Sequence, residues 1–538
     1  MKAAKGIYGL LYVFVAVSVA AISGCATDKR SDHARVLVAA ISGDPGHLNP
    51  AITTNGGVSA AASLLYDGLV TLDENLQPQP ALATRWEVLD GGARYVFHLR
   101  HGVQWHDGQP FDARDVVYSF EQVLLKYHAR TRASMAPALS AVVAVDDSTV
   151  EFRFKRPYAP LLQQLDVTET PIIPRHVYEG SDPLRNPANT KPVGTGPFQF
   201  TSYQSNGEIQ YSSNKKYFGG APWLETVVLR IVPDAATQVI ALEAGEVDYL
   251  GAVPGPERDR LRRNPKLVVE RATVSTGGSN CITTLGFNLD RPMFQDVRVR
   301  RAIAHGINRQ QIVERVLFGA GRAADAPISS RIVFAHAAGL PIAVWDTIWA
   351  GALLDSAGWK VSKPGGTRDA HGVRGVADGT QFAIVFKVLP SQSNYGDLLR
   401  AQLREVGIDM RVQGLEQAVF SQAVFTARDF DTAIGSYCNG TDPEIGVRRM
   451  LVSSNIAPVP FSNMAGYRNS SVDSLFELAA SALATDVRTR LYRAIQEIVV
   501  RDQPYVWLAE TESSRAYSKR CRDFANAAHF AATARCTE

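Results

Sequence analysis

The sequence predicts an α/β protein built of more than one lobe. Three observations carry that reading. Stretches of period-two alternation and stretches of helical periodicity succeed one another along the chain. At 538 residues the chain is too long for a single hydrophobic core. No internal repeat or low-complexity segment points to a solenoid or a disordered array instead.

The strands are read from alternation of apolar and polar residues. RVLVAAI (35–41), RYVFHLR (94–100), TVEFRFK (149–155), VVLRIV (227–232) and IDMRVQ (408–413) all fit. The helices are read from apolar spacing and end signals. Asp112 is a good N-cap, and Val116, Val117, Phe120, Val123, Leu124 and Tyr127 then fall on one helical face. Asn308 with Gln311 three residues on predicts a capping box for a helix that stops near Gly319. The stretch 396–412 is a helix ended by Gly407 and followed at once by a strand. An amphipathic helix runs from Thr485 and is closed by Pro504. Pro-rich stretches at 76–81 and 185–197 mark candidate boundaries, whereas 253–260 and 362–380 read as surface loops.

Composition is that of a globular protein, with 46% hydrophobic and 20% charged residues. The 56 basic and 53 acidic side chains nearly balance, so nothing calls for nucleic acid. The N-terminus is different. Lys2 and Lys5 precede an apolar run, Gly9 to Ile22, too short to span a bilayer as a helix. A basic start and a short apolar core read as a secretory signal. The run ends in ISGC (22–25), which resembles a bacterial lipoprotein box and implies lipidation of Cys25 and an anchor in a membrane. Cleavage near Ala20 or Ala26, with Cys25 incidental, is the other reading. Without Lys2 and Lys5 the formal charge falls from +3 to +1.

Export favours paired cysteines. Cys281, Cys438, Cys521 and Cys536 allow three pairings. Nearness in sequence favours Cys521–Cys536, which leaves Cys281–Cys438. There is no CxxC and no His at ligand spacing from a cysteine, so no zinc or other metal site is expected. GxSxG, HExxH, a Walker loop and a strand-bound GxGxxG are all absent, so neither enzyme nor cofactor is expected. His106 and Asp107 in HDGQPFD would be the residues of a secreted peptidase. The other reading is a turn feeding the helix at Asp112.

Several blocks together resemble one family. They are LNPA, LLYDGLVTLDENLQPQPALATRWEV, YVFHLRHGVQWHDGQPFDARDVVYSF and KPVGTGPFQF. They continue with GFNLDRPMFQDVRVRRAIAHGINRQQIVERVLFGAG, LLDSAGW, LREVGIDM, GYRNSSVDSLFELA and DQPYVWL. In this order, from about residue 36 to 510, they resemble bacterial extracellular solute-binding proteins of the oligopeptide, dipeptide and nickel class, the receptors of ABC importers. The resemblance implies a two-lobed periplasmic-binding-protein fold with an extra domain inserted in the first lobe. The first lobe is then 30–80, 191–282 and the tail 511–538, the extra domain 81–190 and the second lobe 283–510. It implies a monomer that closes on a small, peptide-like solute and presents it to a permease in the cytoplasmic membrane. Opines, oligosaccharides and nickel chelates are the other solutes.

The resemblance also places a site. The segment GSYCNGTDPEIG (435–446) matches the family's cleft wall, where an aspartate receives a peptide's α-ammonium group. That position is Asn439 here. An amide offers no net charge, so either Asp442 supplies the carboxylate or the ligand lacks a free amine. Tyr437 either meets the ligand or packs beneath the loop. Gly435 and Gly440 would let the backbone approach the ligand. On the facing lobe, Thr54, Asn55, Gly56 and Gly57 match a loop that pairs with a peptide main chain.

Overall fold

The structure is a computed structural model that describes residues 35–272, 280–459, 461–525 and 528–537. Cys25 and the apolar leader lie outside the described residues. Two mixed sheets organise the chain. The first has seven strands in the order Leu267–Arg271, Ser514–Ser518, Tyr249–Leu250, Val36–Ile41, Thr226–Ile231, Glu208–Ser213 and Phe198–Tyr203. The second has six, in the order Gly321–Ala323, Tyr505–Thr511, Cys281–Phe287, Thr432–Cys438, Ala383–Val388 and Asp409–Gly414.

Each sheet has its own core. One hydrophobic cluster runs from Ile282 to Ala509 and contains only residues of the second half. The other large cluster joins Leu37, Leu64 and Leu65 to Phe97, Phe152 and, near the C-terminus, Ala534. The extra domain is a four-stranded antiparallel sheet, Ala83–Leu89, Arg94–Leu99, Thr149–Phe154 and Leu139–Asp146. It therefore shares the first lobe's core rather than forming one of its own. The chain passes between the main sheets twice, from Arg271 to Cys281 and from Thr511 to Ser514. Cys281 and Ile282 already pair in the second sheet, so the changeover lies before Cys281 and not after 282 as expected.

Local sequence explains most elements, with two corrections. Asp112 caps the helix Ala113–Tyr118 through a full capping box with Asp115. The predicted regular helix to Tyr127 is interrupted, because Ser119–Leu124 is a π-helical segment. The Ser119 hydroxyl bonds the Asp115 carbonyl at 2.7 Å and accepts from Ile173 N at 3.0 Å, drawing this turn out of register. At Asn308 only half of the expected box forms. Its side chain accepts from Gln311 N, but the Gln311 amide oxygen turns to Gln402. KPVGTGPFQF owes its glycines to close approach. A Cβ on Gly194 or Gly196 would collide with the Leu65 backbone, whose carbonyl accepts from Gly196 N at 2.9 Å.

Candidate ligand cleft between the lobes

The second lobe's wall begins at the strand Thr432–Cys438. It lies antiparallel to Cys281–Phe287, with Cys281 directly opposite Cys438. A disulfide joins these two, and a second joins Cys521 and Cys536. The chain then turns at Gly440, where φ is +68° and a Cβ would be strained, and enters the short helix Pro443–Gly446.

The side chains singled out from this segment hold the wall together. Asn439 is fully buried. Its Oδ1 accepts from Ser329 N at 2.6 Å and its Nδ2 donates to the Tyr437 carbonyl at 3.2 Å. The amide is needed here, because a carboxylate would set an oxygen against that carbonyl with no hydrogen between them. Asp442 is also fully buried and does not supply a free carboxylate as expected. It caps Glu444 N and forms a 2.8 Å ion pair with Arg488. Tyr437 packs beneath the loop, 1% exposed, and its hydroxyl donates to the Ser462 carbonyl at 3.0 Å. Gly435 is a packing glycine rather than an opening to ligand. A Cβ there would lie 2.8 Å from Met464 Cε and from a ring carbon of Tyr437. Burial pushes the Glu444 carboxyl up to about 7, although Arg448 pulls it the other way.

The extra domain meets this wall. Thr441 Oγ1 donates to the Gln163 carbonyl at 2.8 Å, and Ala159 N donates to the Ala480 carbonyl at 2.7 Å. Arg156 reaches the Glu477 carbonyl at 3.2 Å and also ion-pairs with its carboxylate. The two halves thus stand in contact along a seam between 156–163 and 441, 477–481.

Charges line this seam unevenly. On the first-lobe side Arg130 pairs with Glu169 at 3.0 Å. On the second, the Arg449 guanidinium lies 5.9 Å from the ring centre of Tyr437 and 5.6 Å from that of Phe461. It donates to the carbonyls of Gly446 and Cys438, and among the described residues no carboxylate lies within ion-pairing distance of it. Burial lowers its pKa to about 10, with Arg130 across the seam adding to the effect and Tyr437 and Glu169 opposing it. It remains a cation at neutral pH. Sequence reading missed Arg449, Arg130 and Glu169; the one available signal was the Arg-Arg pair at 448–449 just past the quoted segment.

Thr54 is half-buried, while Asn55, Gly56 and Gly57 are exposed. Asn55 caps the short helix Gly56–Ala62, accepting from Gly57 N at 2.8 Å and Val58 N at 3.3 Å. His106 and Asp107 do not pair. The imidazole of His106 is engaged at both nitrogens, by the Gly196 carbonyl and Gly194 N, while Asp107 pairs with His176 at 2.7 Å. A neutral ring with both nitrogens so occupied is a structural tie.

Two halves with separate cores, two chain crossings between them and a charged seam define a two-lobed binding protein. The model for bacterial extracellular solute-binding proteins, family 5 middle, matches residues 77–458, and the chain belongs to that family. Among its relatives, Protein XP55 of Streptomyces lividans is 29% identical over 92% of this chain and 87% of its own. The oligopeptide-binding protein AppA of Bacillus subtilis is 28% identical over 88% of this chain and 85% of its own. The structure of that protein with a nonapeptide superposes with a TM-score of 0.78 at 25% identity, covering 94% of this chain and 99% of that one. NikZ of Campylobacter jejuni, solved with Ni(L-His), shares the fold with a TM-score of 0.79 at 22% identity, over 91% of this chain and 95% of that one. Among the described residues no helix is long and apolar enough to cross a membrane.

Proposed function

We propose that this protein is the receptor of an ABC importer for a peptide or peptide-like solute that carries a carboxylate, held between the lobes with the carboxylate on Arg449. One observation carries the ligand chemistry. Arg449 is a cation on the cleft wall that donates to carbonyls and faces two rings, and the carboxylate that acts on it across the seam, Glu169, is already paired with Arg130. A largely covered cation with no carboxylate of its own within ion-pairing distance is poorly compensated, and an anionic ligand group would improve that. At the position where the resemblance expects an ammonium receptor, the neutral, bonded Asn439 offers nothing to a cation. The ligand's anionic end, not its amine, is therefore the anchor.

Thr54, Asn55, Gly56 and Gly57 supply main-chain contacts from the first lobe. Ligand contact with both lobes favours the closed arrangement by its differential affinity, and the permease reads that state. The solute leaves unchanged, and the pair singled out from the sequence, His106 and Asp107, is split between separate partners. The chain acts as a monomer outside the cytoplasm, anchored through lipid on Cys25.

Peptide binding has several relatives in its favour, among them the nonapeptide complex of AppA. A nickel chelate is the second reading, since chelator carboxylates would meet Arg449 equally well and NikZ binds Ni(L-His). Native mass spectrometry of the purified protein tests both. A co-purified acidic or zwitterionic peptide-like mass supports the first, and a nickel isotope pattern supports the second. A neutral sugar would refute the role given to Arg449.

A further inference from the structure

Asp325, His336 and Glu510 bring their donor atoms to within 4.8 Å of one another on the second lobe. Local spacing did not mark this group, because Glu510 comes from a strand far along the chain from the 325–336 segment. Two details set the group apart from an ordinary surface cluster.

The first is the histidine's tautomer. His336 Nδ1 lies 2.8 Å from the Ile328 carbonyl. A carbonyl only accepts, so Nδ1 carries the hydrogen and the Nε2 of a neutral ring carries a lone pair. That lone pair faces Asp325 Oδ1 at 3.6 Å. This is the arrangement of a metal-bound imidazole, whose other nitrogen donates to a backbone carbonyl. The second is the aspartate. Its Oδ1 is buried and has no hydrogen-bond partner, while its other oxygen is held by Arg322. With a neutral ring two lone pairs face each other, and a cation belongs between them, either a proton on Nε2 or a metal ion.

From this geometry we infer a divalent transition-metal site, with His336 Nε2, Asp325 Oδ1 and a Glu510 oxygen as ligands. One nitrogen and two oxygens suit Zn²⁺, with a fourth position left for water. Glu510 is already oriented. It accepts from Ser330 Oγ at 2.8 Å, Ser329 Oγ at 3.1 Å and Ser330 N at 3.2 Å, and these bonds occupy Oε2 more heavily than Oε1. The Asp325 side chain is 44% exposed, although Oδ1 itself is covered. The surrounding charges are Arg322 on Asp325, Arg309 near Asp325 and Arg331 near Glu510.

The placement gives the metal a task. Residues 325–336 include Ser329, whose N–H holds Asn439 in the cleft wall. Glu510 lies near the end of the strand Tyr505–Thr511, just before the second crossing to the first lobe. An ion here ties the cleft wall to the strand that leads into the crossing.

The test is calorimetric titration of the chelator-stripped, tag-free protein with Zn²⁺ at pH 7.5, beside His336→Gln and Asp325→Asn. The expected result is one equivalent bound, at least tenfold more weakly in each variant, and more weakly still as pH falls below the imidazole range. X-ray absorption of the zinc-loaded wild type guards against misfolded variants. It should show one imidazole nitrogen and carboxylate oxygens at about 2.0–2.2 Å. Equal isotherms for wild type and His336→Gln with both folded, no binding in the wild type, or a zinc shell without imidazole each overturn the inference.

Discussion

Replacing both cysteines of the Cys281–Cys438 pair by alanine should weaken the second lobe selectively. The bridged residues are separated by 157 positions. In the chain-entropy account a closed loop of that length restricts the unfolded state by about 5 kcal/mol, against about 3 for a 15-residue loop. The second number applies to Cys521–Cys536, separated by 15 positions. Measured losses commonly fall below the entropic figure, so a loss of about 3–5 kcal/mol is expected for Cys281→Ala/Cys438→Ala. Because the second lobe's core shares no residue with the first, the loss should appear in one unfolding transition only. With a urea slope of about 3 kcal/mol/M for a unit of this size, the midpoint of that transition moves down by about 1–1.7 M. Equilibrium urea unfolding followed by hydrogen exchange and mass spectrometry assigns each transition to its lobe. Cys521→Ala/Cys536→Ala is the control and should move the other transition. Equal movement of both transitions in the first variant, or a shift under about 0.3 M, would refute the reasoning.

Four other outcomes follow from the same geometry. Glu444, raised to about 7 by burial, binds its proton more tightly in the folded state than in the unfolded one. Its contribution is therefore present in full below pH about 4.5 and is lost as pH rises through about 7, with a ceiling of about 3 kcal/mol; Glu444→Gln should flatten that slope in urea melts run from pH 4.5 to 8. Arg449→Met should weaken binding of peptides with free C-termini at least tenfold in fluorescence titrations while leaving C-terminally amidated ones unchanged, and equal loss for both would count against the carboxylate anchor. Gly435→Ala forces a methyl group against Met464 and Tyr437 and should cost about 1–3 kcal/mol by thermal melting. Arg156→Ala removes a seam ion pair whose side chains are 37% and 39% exposed, so the closed state should lose no more than about 1 kcal/mol, a factor of about five, seen by small-angle scattering.

How much of this was legible beforehand depended on the range of the interaction. Alternation placed Val36–Ile41, Arg94–Leu99 and Thr149–Phe154 to within a residue, because side-chain period is a local property. Asp112, Asn308 and Gly407 were readable for the same reason: a cap acts on groups two to four residues away. The π-helical turn at Ser119 was not, since it depends on Ile173 arriving from 54 positions on.

The candidate cleft shows the same division. The Gly- and Asp-Pro-rich stretch after Thr432–Cys438 read by itself as a turn, and only the family resemblance made it a cleft wall; the two disulfides followed from nearness in sequence and remainder. The roles of the wall's side chains could not be read from the sequence. Whether Asn439, Asp442 and Tyr437 face a ligand or the core turns on Ser329, Arg488 and Ser462, which come from other elements. Arg449 looked like half of an ordinary Arg-Arg pair until folding covered much of it and, among the described residues, left no carboxylate within ion-pairing distance. By itself the sequence determined the elements, their caps and the family pattern, all of which rest on neighbouring residues. Only folding determined which polar groups are satisfied and which are left wanting a partner, because that depends on long-range packing.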